Sequence, residues 1–151
     1  MTEPMTLEDL KAMDSRYRLE KPKLFEIAQA DPPATQHDLD SVENSIGVKL
    51  PDSYRRYLSV YGGGVFGFTV IFSAYTDGEW FLPNRQRDAA THLPHGLLAF
   101  SDDFAGGYYV FKIADGSADD RPWYWNADGG LVHTNFANIY EFVARYAYEP
   151  A

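Results

Sequence analysis

Cysteine is absent from the 151 residues, which excludes disulfides, thiolate metal sites and a cysteine nucleophile. No run of about 18 apolar residues occurs, so no segment reads as a membrane-spanning helix. The opening, MTEPMTLEDLKAMD, has neither a basic start nor an apolar h-region. No secretory signal is expected from it, and a cytoplasmic location is. Positive charge is scarce: 13 Lys and Arg stand against 22 Asp and Glu, for a net charge of −9 and a pI near 4.7. Such a field repels nucleic acid and anionic membrane and draws in basic partners. The same acidity also serves simple solubility.

Signals for catalysis are thin as well. The imidazoles are His37, His92, His95 and His133. His92 and His95 have metal-pair spacing only, because Pro94 interrupts any helical register between them and no carboxylate completes a pattern. His133 falls in a predicted strand, where it could hydrogen-bond in the core. No serine sits in a Gly-x-Ser-x-Gly elbow. Gly62-Gly63-Gly64-Val65-Phe66-Gly67 follows a helix and leads into strands, the reverse of a phosphate loop, and lacks the Lys-Ser or Lys-Thr that should follow. No metal, cofactor or enzymatic activity is expected. A small hydrolase assembled from scattered Asp and His is the least favoured reading.

What is abundant is aromatic material: Tyr 11, Phe 10 and Trp 3, with 45% hydrophobic residues overall. A chain of this length folds as one domain and buries about two thirds of its unfolded surface. Part of the aromatic surplus belongs at the surface, where Tyr and Trp are favoured in interfaces.

The chain is organised around Thr35 to Gly64, TQHDLDSVENSIGVKLPDSYRRYLSVYGGG. Thr35 and Asp38 are spaced to cap a helix start. Leu39, Val42 and Ile46 recur on one helical face, and Gly47 stands where a left-handed C-cap is easiest without a Cβ. Val48 and Leu50 alternate around Lys49, and Pro51 opens a second helix at its first position. That helix carries Tyr54, Tyr57, Leu58 and Tyr61 at i, i+3, i+4, i+7 and ends in glycines. Glu43 breaks the apolar face of the first helix. A carboxylate there needs donors, and the nearest are the free N–H groups at the start of the second helix, between Leu50 and Ser53. Glu43, Gly47, Leu50 and Pro51 are therefore read as structural, with Glu43 clamping helix to turn.

Residues 1–30 read as a helical extension: Thr6 and Asp9 make a cap-like pair, and Leu7, Leu10, Met13 and Tyr17 share a face. Leu24, Phe25, Ile27 and Ala28 add an apolar patch before the stiff connector Ala30 to Pro33. Residues 31–151 form the main domain. Phe66 to Phe72 reads as one strand, Asp77-Gly78 as a turn, and Asn84 to Thr91 as a loop or short helix. Leu97 to Ser101 is a strand, Asp102 to Gly107 a turn, and Tyr108 to Ile113 a central strand apolar on both faces. Ala114 to Arg121 reads as an acidic turn. Pro122 to Asn126 and Leu131 to Thr134 form a hairpin around Ala127 to Gly130. Asn135 or Asn138 caps a closing helix with Ile139, Phe142, Val143 and Tyr146 buried. The sum is an α+β domain: two helices on the N-terminal side, a mostly antiparallel sheet of about five or six strands, and a C-terminal helix.

The run Val42-Glu43, Ile46-Gly47, Leu50-Pro51, Tyr54, Leu58 and Gly62-Gly63 resembles the signature of the SUKH superfamily, the Smi/Knr-type domain. Tyr61 departs from it, standing where the family often has Asn. The resemblance spans roughly residues 34–148 and includes the acidic turn after Leu98-Ala99-Phe100 and the helix around Glu141-Phe142-Val143. It implies a toxin-immunity protein that binds and occludes a cognate toxin, such as a nuclease with a basic cleft, or else a regulatory scaffold of the fungal type. Three acidic turns with aromatic neighbours are the candidate partner-binding residues: Asp77, Glu79 and Trp80; Asp102, Asp103 and Phe104; Asp119 and Asp120 beside Trp123. If the hairpins share one sheet edge, all three line one face.

Overall fold

The computed structural model describes residues 3–26 and 28–150; Ile27, part of the apolar patch expected before the connector, lies outside them. Helix α1 spans Leu7–Glu20. Its start is held reciprocally, the Asp9 N–H donating to Thr6 Oγ1 and the Thr6 N–H to Asp9 Oδ2. A short 3-10 turn, Pro22–Phe25, follows. Helix α2, Gln36–Ile46, carries the same reciprocal cap through Thr35 and Asp38 and ends at Gly47 with φ +72. Hydrogen bonds from Thr35 hold the Asp38 carboxyl below its ordinary range. Helix α3 runs Asp52–Tyr61 and stops at Gly62, φ +80. Pro51 is its N-cap rather than its first helical residue.

The expected strand over Phe66 to Phe72 is instead a tight hairpin, β1 (Gly64–Phe66) against β2 (Thr69–Ile71). Gly67, φ +58, makes the turn because a Cβ there would collide with the Ala147 carbonyl. The segment after the Asp77 turn is helix α4, Leu82–Ala89. A four-stranded antiparallel sheet follows in sequence order: β3 (Leu97–Asp102), β4 (Gly107–Ala114), β5 (Ser117–Asn126) and β6 (Gly130–His133). Helix α5, Ile139–Tyr146, closes the chain, with Asn138 Oδ1 accepting from the Glu141 N–H. The six strands thus divide into sheets of two and four, and the fold is α+β.

The core lies between the four-stranded sheet and helices α3 and α5. Phe100 stacks on Phe111 at 4.4 Å and meets Phe142 edge-on at 5.1 Å. Tyr54 packs beside Phe111, its hydroxyl donating to the Phe72 carbonyl at 2.5 Å. Helix α1 docks across α5: Leu10 is fully buried, the Tyr148 hydroxyl donates to Asp14 Oδ1, and Arg18 pairs with Asp14 Oδ2 at 2.7 Å.

The two edges of the larger sheet are treated differently. Along β3, the Gln86 side chain of α4 donates to the Leu97 carbonyl and accepts from the Ala99 N–H. The Phe72 N–H adds a bond to the Phe100 carbonyl. That edge is closed. The other edge, β6, is exposed over Leu131 to His133. His133 accordingly lies on an open strand with its ring 4.0 Å from Trp123, and the expected core site for it does not exist.

Candidate functional site

The residues expected to be structural meet at one junction. Glu43, only 7% exposed, accepts the Leu50 N–H at 2.8 Å, and its other oxygen pairs with Arg55 at 2.8 Å. Leu50 and Pro51 are buried beside it. The clamp therefore closes on the turn at Leu50, while the N–H of Ser53 goes elsewhere. Asp120 takes it: Asp120 Oδ1 accepts from both the Ser53 N–H (3.3 Å) and the Ser53 hydroxyl (2.7 Å). Helix α3 has no cap from its own N-terminal residue, so a strand on the far side of the sequence supplies one.

That contact also moves the third acidic group away from the other two. Asp119 and Asp120 stand within β5, not in a turn. They lie near the Ala114–Ser117 end of the β4–β5 hairpin, whereas Asp102 pairs with Tyr108 at its opposite end. Asp119 and Asp120 fall opposite Lys112, four residues along β4 from Tyr108, or about 14 Å, and one strand further across the sheet than β4. The expectation of one face lined by three turns is corrected to two.

The first two turns do converge. Ser73 pins the neck of the Asp77 loop by donating to the Trp80 carbonyl and accepting from the Leu82 N–H. In the second loop Asp102 Oδ1 accepts the Phe104 N–H, while Asp103 Oδ1 accepts those of Ala105 and Gly107. The Tyr124 hydroxyl donates to Asp103 Oδ2 at 2.5 Å. Burial opposes ionisation of Asp103, but these donors outweigh it and hold the carboxyl below its usual range. The loop so tied carries Phe104 at φ +61 with the residue 67% exposed. Its ring meets Trp80 edge-on at 5.7 Å.

Charge around this aromatic pair is mostly negative. Asp77 is exposed. Glu79 is tied to Arg85, whose guanidinium lies 4.3 Å over the Trp80 ring. Between the loops, burial and then the Asp102 and Asp88 carboxylates raise the Tyr108 phenol above its ordinary range. Asp88 had no signal in the sequence beyond membership of a polar stretch; helix α4 brings it in. Phe68, read as a strand residue, is instead the exposed tip of the β1–β2 hairpin, 55% accessible. Phe68, Phe104, Asp102 and Asp103 border a hollow of ≈ 170 Å³. At its inner end Tyr109 and Tyr146 also line a second hollow of ≈ 510 Å³ that runs toward β6.

Among the described residues, no His, Cys, Asp and Glu side chains group where they could hold a metal ion, and no helix is long and apolar enough to cross a membrane. What the arrangement offers is contact: rigid aromatic surface, fixed carboxylates and backbone held by its own side chains. No curated protein matches the sequence. The SMI1 / KNR4 family (SUKH-1) matches residues 33–145, well over half of the chain, and the chain belongs to that family.

Proposed function

We propose that the chain is an immunity protein that binds a basic toxin domain directly and occludes it, through the face formed by Asp77, Glu79, Trp80, Asp102, Asp103 and Phe104. The family supports a toxin-immunity or Smi/Knr-type domain in general; the finer reading rests on one observation. Two loops more than twenty residues apart in sequence present Trp80 and Phe104 in edge contact, with Phe104 held in a left-handed conformation and turned to solvent. A bulky residue in that conformation costs about 1–2 kcal/mol, and four hydrogen bonds accepted by Asp102 and Asp103 sustain it. Strain kept at an exposed aromatic is the mark of a contact site. The net charge of −9 would speed association with a cationic cleft.

The test is protection. The chain is co-expressed with a toxin domain cloned from the coding sequence adjacent to its own, and growth is scored. Trp80→Ala and Phe104→Ala should abolish protection while leaving the protein folded. In surface plasmon resonance Trp80→Ala should raise the off-rate by about thirtyfold, the equivalent of roughly 2 kcal/mol for an aromatic hot spot. Asp77→Asn with Glu79→Gln should mainly slow association, an effect that added salt mimics. Full protection by both aromatic variants would refute this site.

A further inference from the structure

The hollow behind Phe104 does not end there. Ser101, Tyr109, Tyr124 and Val132 are cross-strand neighbours on β3, β4, β5 and β6 and form one rung across the sheet. Four strands at about 4.8 Å spacing make this rung about 14 Å long, the span of roughly four extended residues. Phe136 and Tyr146 wall it on the α5 side. Tyr109 and Tyr146, 5.6 Å apart between ring centres, line both hollows and form the saddle between them. One end of the path is closed by the carboxylates Asp102 and Asp103. The other carries Arg145, which is exposed, lies 5.1 Å over the Tyr146 ring and meets no carboxylate among the described residues, and it opens at β6 beside Val132, 46% exposed. The groove is therefore aromatic along its length, negative at one end and positive at the other.

The geometry points to a seat for an extended segment of the partner polypeptide, laid across the saddle with a Lys or Arg side chain among Asp102 and Asp103 and an Asp or Glu side chain against Arg145. This deepens the proposed function and rests on its reading of the chain as a protein-binding domain. Three features select a peptide. Side chains on one face of an extended segment recur about every 6.8 Å, so one can drop into each hollow on either side of the saddle. Flat tyrosine rings provide contact at little entropic cost. The opposite charges at the two ends fix direction, because a reversed segment would set like against like.

A random dodecapeptide library displayed on phage is selected against the full chain, and the enriched sequences are synthesised for fluorescence anisotropy. The expected consensus places Lys or Arg about four residues from Asp or Glu. Asp102→Asn keeps the oxygen that accepts the Phe104 N–H and removes only charge; Arg145→Glu and Val132→Arg change exposed side chains. Each variant, checked by circular dichroism for an intact fold, should weaken the consensus peptide at least about tenfold, Asp102→Asn and Arg145→Glu by loss of a specific charge pair and Val132→Arg by obstructing the β6 mouth. Replacing the acidic residue of the peptide by Lys should restore binding to Arg145→Glu. Absence of a consensus, or peptides indifferent to Arg145→Glu and Val132→Arg, overturns the proposal. The two readings also fail separately. Toxin protection lost in Trp80→Ala but untouched by Arg145→Glu and Val132→Arg removes the groove and leaves the immunity role. Groove-dependent peptides without protection against any basic toxin do the reverse.

Discussion

Phe104 and Glu43 are opposite solutions to the same difficulty, a side chain placed where its chemistry is unfavourable. Phe104 sits at positive φ with its ring mostly in solvent, and nothing in the core requires it. Phe104→Gly should relieve the left-handed strain, offset in part by the greater freedom of glycine in the unfolded chain. Thermal denaturation is expected to show stability unchanged or raised by up to about 1 kcal/mol, while binding to the partner is lost; a clear loss of stability would mean that the ring serves the fold. Glu43 is the reverse case, a carboxylate inside that the fold does require. Glu43→Ala would strand the Leu50 N–H and take from the mostly buried guanidinium of Arg55 one of its two carboxylates, Asp40 remaining at 3.2 Å. A loss of about 1–3 kcal/mol in chemical denaturation is expected, and an unchanged midpoint would contradict the clamp.

At the level of elements, helix starts are satisfied by residues near in sequence in some cases and remote in another. Helices α1 and α2 carry their own Thr and Asp, and α5 its own Asn. Helix α3 begins after a proline with no hydroxyl or carboxylate and takes Asp120 from β5. Asp120→Ala should therefore cost about 1 kcal/mol, although it lies remote in sequence from the helix that it caps. Asp119→Ala, one residue away with its side chain bonded, among the described residues, only to the next backbone N–H, should cost far less. Comparison of the two denaturation midpoints tests the assignment. The N-terminal helix is joined to the C-terminal end in a similar cross-chain manner, through Asp14 and Tyr148.

On the scale of the whole molecule, the buried tyrosines make stability sensitive to alkali. Burial, with a smaller contribution from Asp14, pushes the Tyr61 phenol up to about 12, and burial raises Tyr54 and Tyr57 well above the ordinary value. In the unfolded chain these groups ionise near pH 10. Above that pH the unfolded state releases protons that the folded state retains, so stability is fully present below about pH 10 and falls as pH rises toward 12. Denaturant midpoints should decline across that window. Tyrosinate absorbance from the core should appear together with loss of the folded circular dichroism signal rather than before it. For Asp103, whose carboxyl is depressed, the sign reverses. Its contribution is present above the ordinary Asp value of about 3.9 and is lost as pH falls below it.

The sequence by itself determined the local structure: the reciprocal caps at Thr6 and Thr35, the left-handed Gly47, the apolar faces of α2, α3 and α5, and Glu43 as a buried acceptor. These follow from spacing within a few residues, where capping, helical period and φ preference act. The family signature was legible for the same reason, since it lies within the short span Val42 to Gly63. Tertiary structure decided everything that depends on which distant residues meet. It divided Phe66 to Phe72 into a hairpin, whose turn at Gly67 is held by the Phe68 N–H donating to the Ala147 carbonyl, so close that only glycine fits at that position. It placed Asp120 under α3 and so removed it from the acidic face. Trp80 was brought against Phe104, and Tyr124 against Asp103, through loop packing and strand register. Neither contact has a periodicity that a linear chain can display. Acidic turns look alike in sequence; only the sheet register, which sets Asp119 and Asp120 about 14 Å along the strand from Asp102, separates those that share a surface from the one that caps a helix.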